Sequence, residues 1–173
     1  MAFLLKAKVN FMEKEKSSVY KEKLTAWVFI SVVVIFFTVL IAFKGKLNSY
    51  VSESLQSMVL SSEKAEVTSY VDSAYNYIAN KKSFEVTFLE IGSKMCSSCK
   101  QMESVMKEIR FKYPDKVNVV FIDIMEPENQ NLIKYFGIAL IPAQVLLNKN
   151  GKEFFRHSDY ISTFELEGEI FKK

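Results

Sequence analysis

Leu24 to Phe43 reads LTAWVFISVVVIFFTVLIAF, 20 residues without a charge, glycine or proline. As a helix rising about 1.5 Å per residue, such a run spans about 30 Å, the thickness of a bilayer's hydrocarbon core. A buried helix of a soluble protein rarely stays so apolar for so long, so a transmembrane helix over residues 24–43 is the first expectation. Tyr20 and Trp27 lie near its start, where aromatic belts sit at membrane interfaces. Residues 1–23 carry Lys6, Lys8, Lys14, Lys16, Lys21 and Lys23, whereas the far flank offers Lys44 and Lys46 and then no lysine until Lys64. The positive-inside rule therefore places segment 1–23 in the cytoplasm and residues 44–173 outside it. A cleaved signal peptide would have a shorter apolar region ending at a small-x-small site. This run ends Ile41-Ala42-Phe43-Lys44, and no cysteine follows it to carry a lipid. An uncleaved, single-pass signal anchor in a lipid bilayer is the expected arrangement.

The remainder of the chain is ordinary globular material. Of the 173 residues, 49% are apolar and 25% charged, which excludes wholesale disorder. A net charge of +3 gives no ground for a nucleic-acid surface. Two cysteines cannot build a disulfide scaffold or a four-thiolate zinc site within one chain, and a single histidine excludes Cys₂His₂. No metal site is expected.

Residues 44–65 are rich in Ser, Glu and Lys, with Leu47, Val51, Leu55, Met58 and Val59 at helical spacing. They read as a tether: an outward continuation of the first helix, a surface-lying helix or a flexible linker. From residue 66 the pattern of a folded domain begins. Val67, Tyr70, Val71, Ala74, Tyr75 and Ile78 mark one face of an amphipathic helix. Phe84–Ile91 reads as a strand, Ser97 to about Lys112 as a helix closed by Pro114, and Val117–Ile124 as a strand buried on both faces. A short helix over Glu128–Phe136 follows, with Pro127 in its first turn and Gly137 after its end. Ala143–Leu147 and Glu153–Arg156 form a hairpin around Asn150-Gly151. Ser162 and Glu165 form a capping box that opens a last helix, with Phe164 and Ile170 among its apolar positions. The order predicts an α/β domain over 66–173, with a mixed sheet and helices on both faces.

One constellation carries evident chemistry: Cys96-Ser97-Ser98-Cys99, just after a strand and at the start of a helix. A helix N-terminus offers free N–H groups and partial positive charge, which stabilise a thiolate at Cys96. Two intervening residues place both sulfurs on one turn, where they can form a disulfide. Cys96 is then the attacking thiol and Cys99 the resolving one. Ser97 and Ser98 offer hydroxyls to a thiolate, and Lys94 and Lys100 flank the pair with positive charge. The cysteine pair is itself the redox group, so no cofactor is expected.

These features resemble the thioredoxin family. The likeness covers about residues 83–173 and rests on Phe88-Leu89-Glu90-Ile91 before the cysteine pair and Cys99-Lys100 at its end. It continues in Val120-Phe121-Ile122-Asp123, Phe136-Gly137-Ile138, Ile141-Pro142 and Lys149-Asn150-Gly151-Lys152. The short bacterial, membrane-anchored type is the most similar, some members of which pair with membrane electron conduits of the CcdA type. The resemblance implies a thioredoxin-like fold after the transmembrane helix. It also implies that Pro142 faces the disulfide as a cis-proline, and that the backbone of Ile141 and the residue Met95 bind substrate. Glu90 falls where the family buries an acid able to take a proton from Cys99. Phe121, Ile122 and Ile138 read as core, and His157, far in sequence from the thiols, as a surface residue. Several positions depart from the family: Met95 for tryptophan, Ser97-Ser98 for Gly-Pro, Ala143 for threonine, and Asp159 for a late glycine.

The expectation is a thiol–disulfide oxidoreductase held at a bacterial envelope, outside the cytoplasm. It would reduce exported cysteine-containing proteins and be recharged by a membrane electron donor. A disulfide-forming oxidase or isomerase, and a tethered peptide-binding module without turnover, are the alternatives.

Overall fold

The computed structural model describes residues 27–43, 46 and 49–172. The expected cytoplasmic segment 1–23 and the first residues of the apolar run, Leu24 to Ala26, lie outside the described residues. The chain divides into two compact units, Met1–Leu47 and Asn48–Lys173. In the first, α1 (residues 27–43) is helical, with its side chains exposed along its length. Among the described residues, no helix is long and apolar enough to cross a membrane.

The second unit opens with a helical segment at residues 49–57, followed by α2 (Ser61–Tyr75). Then come β1 (Val86–Gly92), α3 (Ser97–Lys112), β2 (Val117–Asp123), a 3₁₀ turn at Pro127–Asn129 and α4 (Gln130–Tyr135). β3 (Ala143–Asn148), β4 (Glu153–Ser158) and α5 (Thr163–Ile170) complete it. The sheet order is β2-β1-β3-β4, with β1 parallel to β2 and antiparallel to β3, and β3 antiparallel to β4. A parallel β1–β2 pair requires a crossover, and α3 supplies it. The hairpin between β3 and β4 turns at Gly151, whose φ of 72° suits a residue without a side chain.

Each face of the sheet has its own core. Leu89, Ile91, Ile122, Val145 and Leu147 meet Val67, Val71 and Tyr75 of α2 and Leu132 of α4. Val86, Phe88, Val117 and Leu146 meet Met102, Val105, Met106 and Ile109 of α3 and Leu166 and Ile170 of α5. β1 is central and buried at all seven positions. A charged residue on it therefore has nowhere to reach solvent, which decides the chemistry of Glu90.

Some expected core positions are corrected. The face of α2 is narrower than the periodicity suggested: Tyr70 is exposed, and Ile78 lies past the helix end in an exposed turn. Phe164 is also exposed, on the outer side of α5. β2, expected to be buried on both faces, is instead an edge strand, half-buried over residues 118–121; Ile122 is buried, while Phe121 and Ile138 are partly so. Within 49–57, Ser52 is buried. It receives a hydrogen bond from Arg156 Nη1 at 2.9 Å, and a Cβ on Gly137 would stand 2.5 Å from its carbonyl oxygen. The segment is thus packed on the sheet's β4 edge and the turn after α4.

Candidate active site

The chain leaves β1 at Gly92, crosses Ser93–Met95 and enters α3 at its N-cap, Cys96. With extended backbone (φ −81°, ψ 126°), Cys96 does what a capping Ser or Asp usually does: its Sγ accepts the Cys99 N–H at 3.3 Å. Ser98 Oγ lies 3.1 Å from the same sulfur. The turn is pinned from behind, because the Cys96 N–H donates to the Ser93 carbonyl and the Met95 N–H to Ser93 Oγ. Both cysteines are free thiols, Cys96 half-buried and Cys99 buried.

Their environments push the two thiols apart. Cys96 falls from 9.0 to about 7, chiefly through the hydrogen bond from the Cys99 thiol, then through Ser98 and the Cys99 backbone N–H. Cys99 rises from 9.0 to about 11, first from burial and then from holding its proton toward Cys96. One is a half-buried sulfur about half ionised near neutrality, and the other a covered thiol that keeps its proton. That asymmetry suits a nucleophile and a resolving partner.

Glu90 has no exposed surface. Burial pushes its carboxyl from 4.5 up to about 8. The Gln144 hydrogen bond opposes this, and the Cys96 charge adds to it. Gln144 Nε2 donates to Glu90 Oε2 at 3.0 Å across the β1–β3 pairing. Glu90 also lies near enough to Cys99 for its charge to raise that thiol further.

The Ile141-Pro142 bond is cis. Because Ala143 pairs with Ile91, Pro142 stands at the end of β1 from which the cysteine loop departs. The Asp159 N–H donates to the Pro142 carbonyl at 2.8 Å. Asp159 has a φ of 95°, so the backbone conformation that favours glycine is kept here with an aspartate. Ile141 is half-buried, and Met95 is 84% exposed beside Cys96.

Other sequence candidates stand apart. Lys94 turns its ammonium to Asp123 Oδ2 at 3.7 Å. Ser97 and Lys100 are exposed, and among the described residues neither hydrogen-bonds to a sulfur. Hydrogen bonds account for the lowered Cys96 thiol, and the flanking lysines do not figure among its causes. His157 is not simply a surface residue: its Nε2 is buried, and its ring stacks on Phe155 at a centroid distance of 6.5 Å. Ser93, Gly92 and Gln144 join the site without a signal in the sequence. A Cβ on Gly92 would come within 3.0 Å of Cys99 Sγ. Among the described residues, no group of three or more His, Cys, Asp or Glu side chains is placed to hold a metal ion.

A mixed sheet with helices on both faces, a C-x-x-C at a helix N-cap and a cis-proline beside it define a thioredoxin-like domain. The chain belongs to the thioredoxin family, whose model matches residues 66–170. No curated protein matches it. Among solved structures it is similar to thioredoxin-2, a component of the malaria parasite's protein secretion machinery. That pair shares 22% identity over 51% of this chain and 84% of the other, with a TM-score of 0.47. The germline-specific thioredoxin Deadhead of Drosophila melanogaster shares 24% identity over 55% and 86%, at 0.46. The exposed lipoprotein thioredoxin of Streptococcus pneumoniae shares 14% over 54% and 89%, at 0.48.

Proposed function

We propose that this protein is a membrane-anchored thiol–disulfide reductase acting outside the cytoplasm on exported cysteine-containing proteins. The observation that carries the reading is the asymmetric thiol pair at the head of α3: half-buried Cys96, whose Sγ accepts the Cys99 N–H at 3.3 Å, beside a buried Cys99, an arrangement that lowers the first thiol and raises the second.

The Cys96 thiolate attacks a substrate disulfide. A Cys96–substrate disulfide forms, and one substrate thiolate leaves. Cys99 then loses its proton and attacks the Cys96 sulfur. The Cys96–Cys99 disulfide forms, the second substrate thiolate leaves, and two electrons have passed to the substrate. In this reading the Cys99 proton goes to the Glu90 carboxylate. The electrostatics favour that order, because the Cys96 charge raises both Cys99 and Glu90. When Cys96 enters the mixed disulfide that charge is gone. Cys99 then releases its proton more readily, and Glu90 is more often ionised to receive it.

The cis Ile141-Pro142 segment and exposed Met95 supply a surface beside the sulfur for an extended substrate peptide. Anchoring is supported by the uncharged run 24–43, and its orientation by the lysine-rich residues before it. A reduced dithiol in an oxidising compartment needs a source of electrons, and a membrane donor of the CcdA type fits that need. The test is reduction of insulin by the full chain in detergent micelles, with dithiothreitol as electron source. Turnover lost in Cys96→Ser is the expected outcome, and an inactive wild type refutes the reading.

A further inference from the structure

The strand register lines up four residues across the sheet: Phe121 on β2, Glu90 on β1, Gln144 on β3 and His157 on β4. Laterally paired residues share a face, here the one covered by α3 and α5. A buried glutamate and a buried glutamine in one row, both without exposed surface, are costly unless they serve each other. Among the described residues four buried side-chain atoms lack a hydrogen-bond partner, and three lie on this row: Glu90 Oε1, Gln144 Oε1 and His157 Nε2.

We infer that Gln144 is a positioning residue for Glu90, its amide holding the buried carboxyl so that it can cycle between carboxylate and acid during resolution. This rests on the reading of Glu90 as acceptor of the Cys99 proton. In the carboxylate form, Gln144 Nε2–H donates to Oε2, among the described residues the one donor bond the charge receives from a side chain. In the acid form, a proton on Glu90 Oε1 becomes a donor, and the open Gln144 Oε1 is the complementary acceptor. A side-chain amide can serve both states, which neither an apolar residue nor a lysine can do. The bond to the charged form is the stronger of the two, so losing the amide raises the carboxyl's pKa. The titratable groups on the surrounding elements are Cys96 and Cys99 on α3, Asp123 with Lys94 at the end of β2, His157 on β4 and Glu165 on α5. Among them the charge that bears on Glu90 is that of Cys96.

The test follows the reaction of the reduced full chain, in detergent micelles, with 5,5′-dithiobis(2-nitrobenzoate). The first thionitrobenzoate released reports Cys96 attack, and the second reports resolution by Cys99. In Gln144→Met the first phase stays within twofold of wild type. The second slows about tenfold at pH 7, and its rise with pH moves upward by about one unit. Glu90→Gln separates the two ideas. If its second phase has the wild-type pH profile, Glu90 is not the acceptor and both readings fall. If Glu90→Gln changes the profile while Gln144→Met overlays wild type, the positioning role alone is refuted. Should Gln144→Met not fold, NMR of the wild type decides. The Gln144 side-chain amide resonances must titrate with the midpoint of the Glu90 carboxyl carbon, and resonances that stay still overturn the proposal.

Discussion

Replacing Glu90 by glutamine should stabilise this protein, by an amount that grows with pH. The wild-type carboxyl is pushed from 4.5 to about 8 by burial in the central strand. A raised carboxyl binds its proton more tightly in the folded state, so between those two values the native form holds more protons than the unfolded chain. The stability contributed by Glu90 is therefore greatest below about pH 4.5, declines as pH rises toward 8, and levels off above it. Each unit is worth about 1.4 kcal/mol, which makes the full loss about 5 kcal/mol and the part incurred by pH 7 about 3 kcal/mol. The substitution keeps the shape and removes the charge. Its amide also gives the Gln144 Oε1 oxygen, open in the wild type, a donor. Denaturant unfolding of wild type and Glu90→Gln, with dithiols reduced, is measured from pH 4 to 9. The difference between the two should be small at pH 4, widen through neutrality and become constant above pH 8. Two stability curves that run parallel across the whole range refute the argument, because they would mean that Glu90 ionises in the fold as easily as in the unfolded chain.

Alkylation by iodoacetamide should modify Cys96 with a midpoint near pH 7 and leave Cys99 untouched in the folded protein, as peptide mapping would read. Ser98→Ala removes the hydroxyl 3.1 Å from the Cys96 sulfur, so alkylation at pH 7 should slow about two- to threefold with no change in melting temperature. Gly137→Ala puts a side chain on a residue at φ 61° and a Cβ 2.5 Å from the Ser52 carbonyl. A loss of about 2–4 kcal/mol is expected by denaturant unfolding, together with faster hydrogen exchange in residues 49–57.

Apolar, β-branched runs made the strands legible, and helical spacing made α3 legible, whereas the apolar run of β2 gave no sign that it lies at the sheet's edge. Ser97 to Lys112 was marked by Met102, Val105, Met106 and Ile109 within and by Pro114 beyond, and all four apolar residues are buried. Tyr70 and Ile78 misled for opposite reasons. Tyr70 sits on the helix beside a buried stripe only three residues wide, Val67, Val71 and Tyr75, while Ile78 keeps helical spacing after the helix has ended. The cysteine pair was evident because strand, loop and helix cap are contiguous in sequence. Glu90 was placed by family likeness, since alternation says nothing on a strand buried on both faces. Gln144 was invisible for a further reason. In Ala-Gln-Val-Leu-Leu it looks like one polar position on a strand, and its partner is 54 residues away, fixed by the register of β1 with β3. The contacts at Gly92 and Gly137 are likewise tertiary, set by approaches between distant segments.

Cys96 and Cys99 should form a reversible couple poised to reduce. The most direct test is the reduction potential of the full chain, equilibrated in dithiothreitol and glutathione buffers and read by thiol trapping. The expected result is a two-electron couple near that of thioredoxin, about −270 mV or lower. A couple near about −120 mV would make the protein an oxidant and contradict the direction proposed, and the absence of any reversible couple would contradict the enzyme itself.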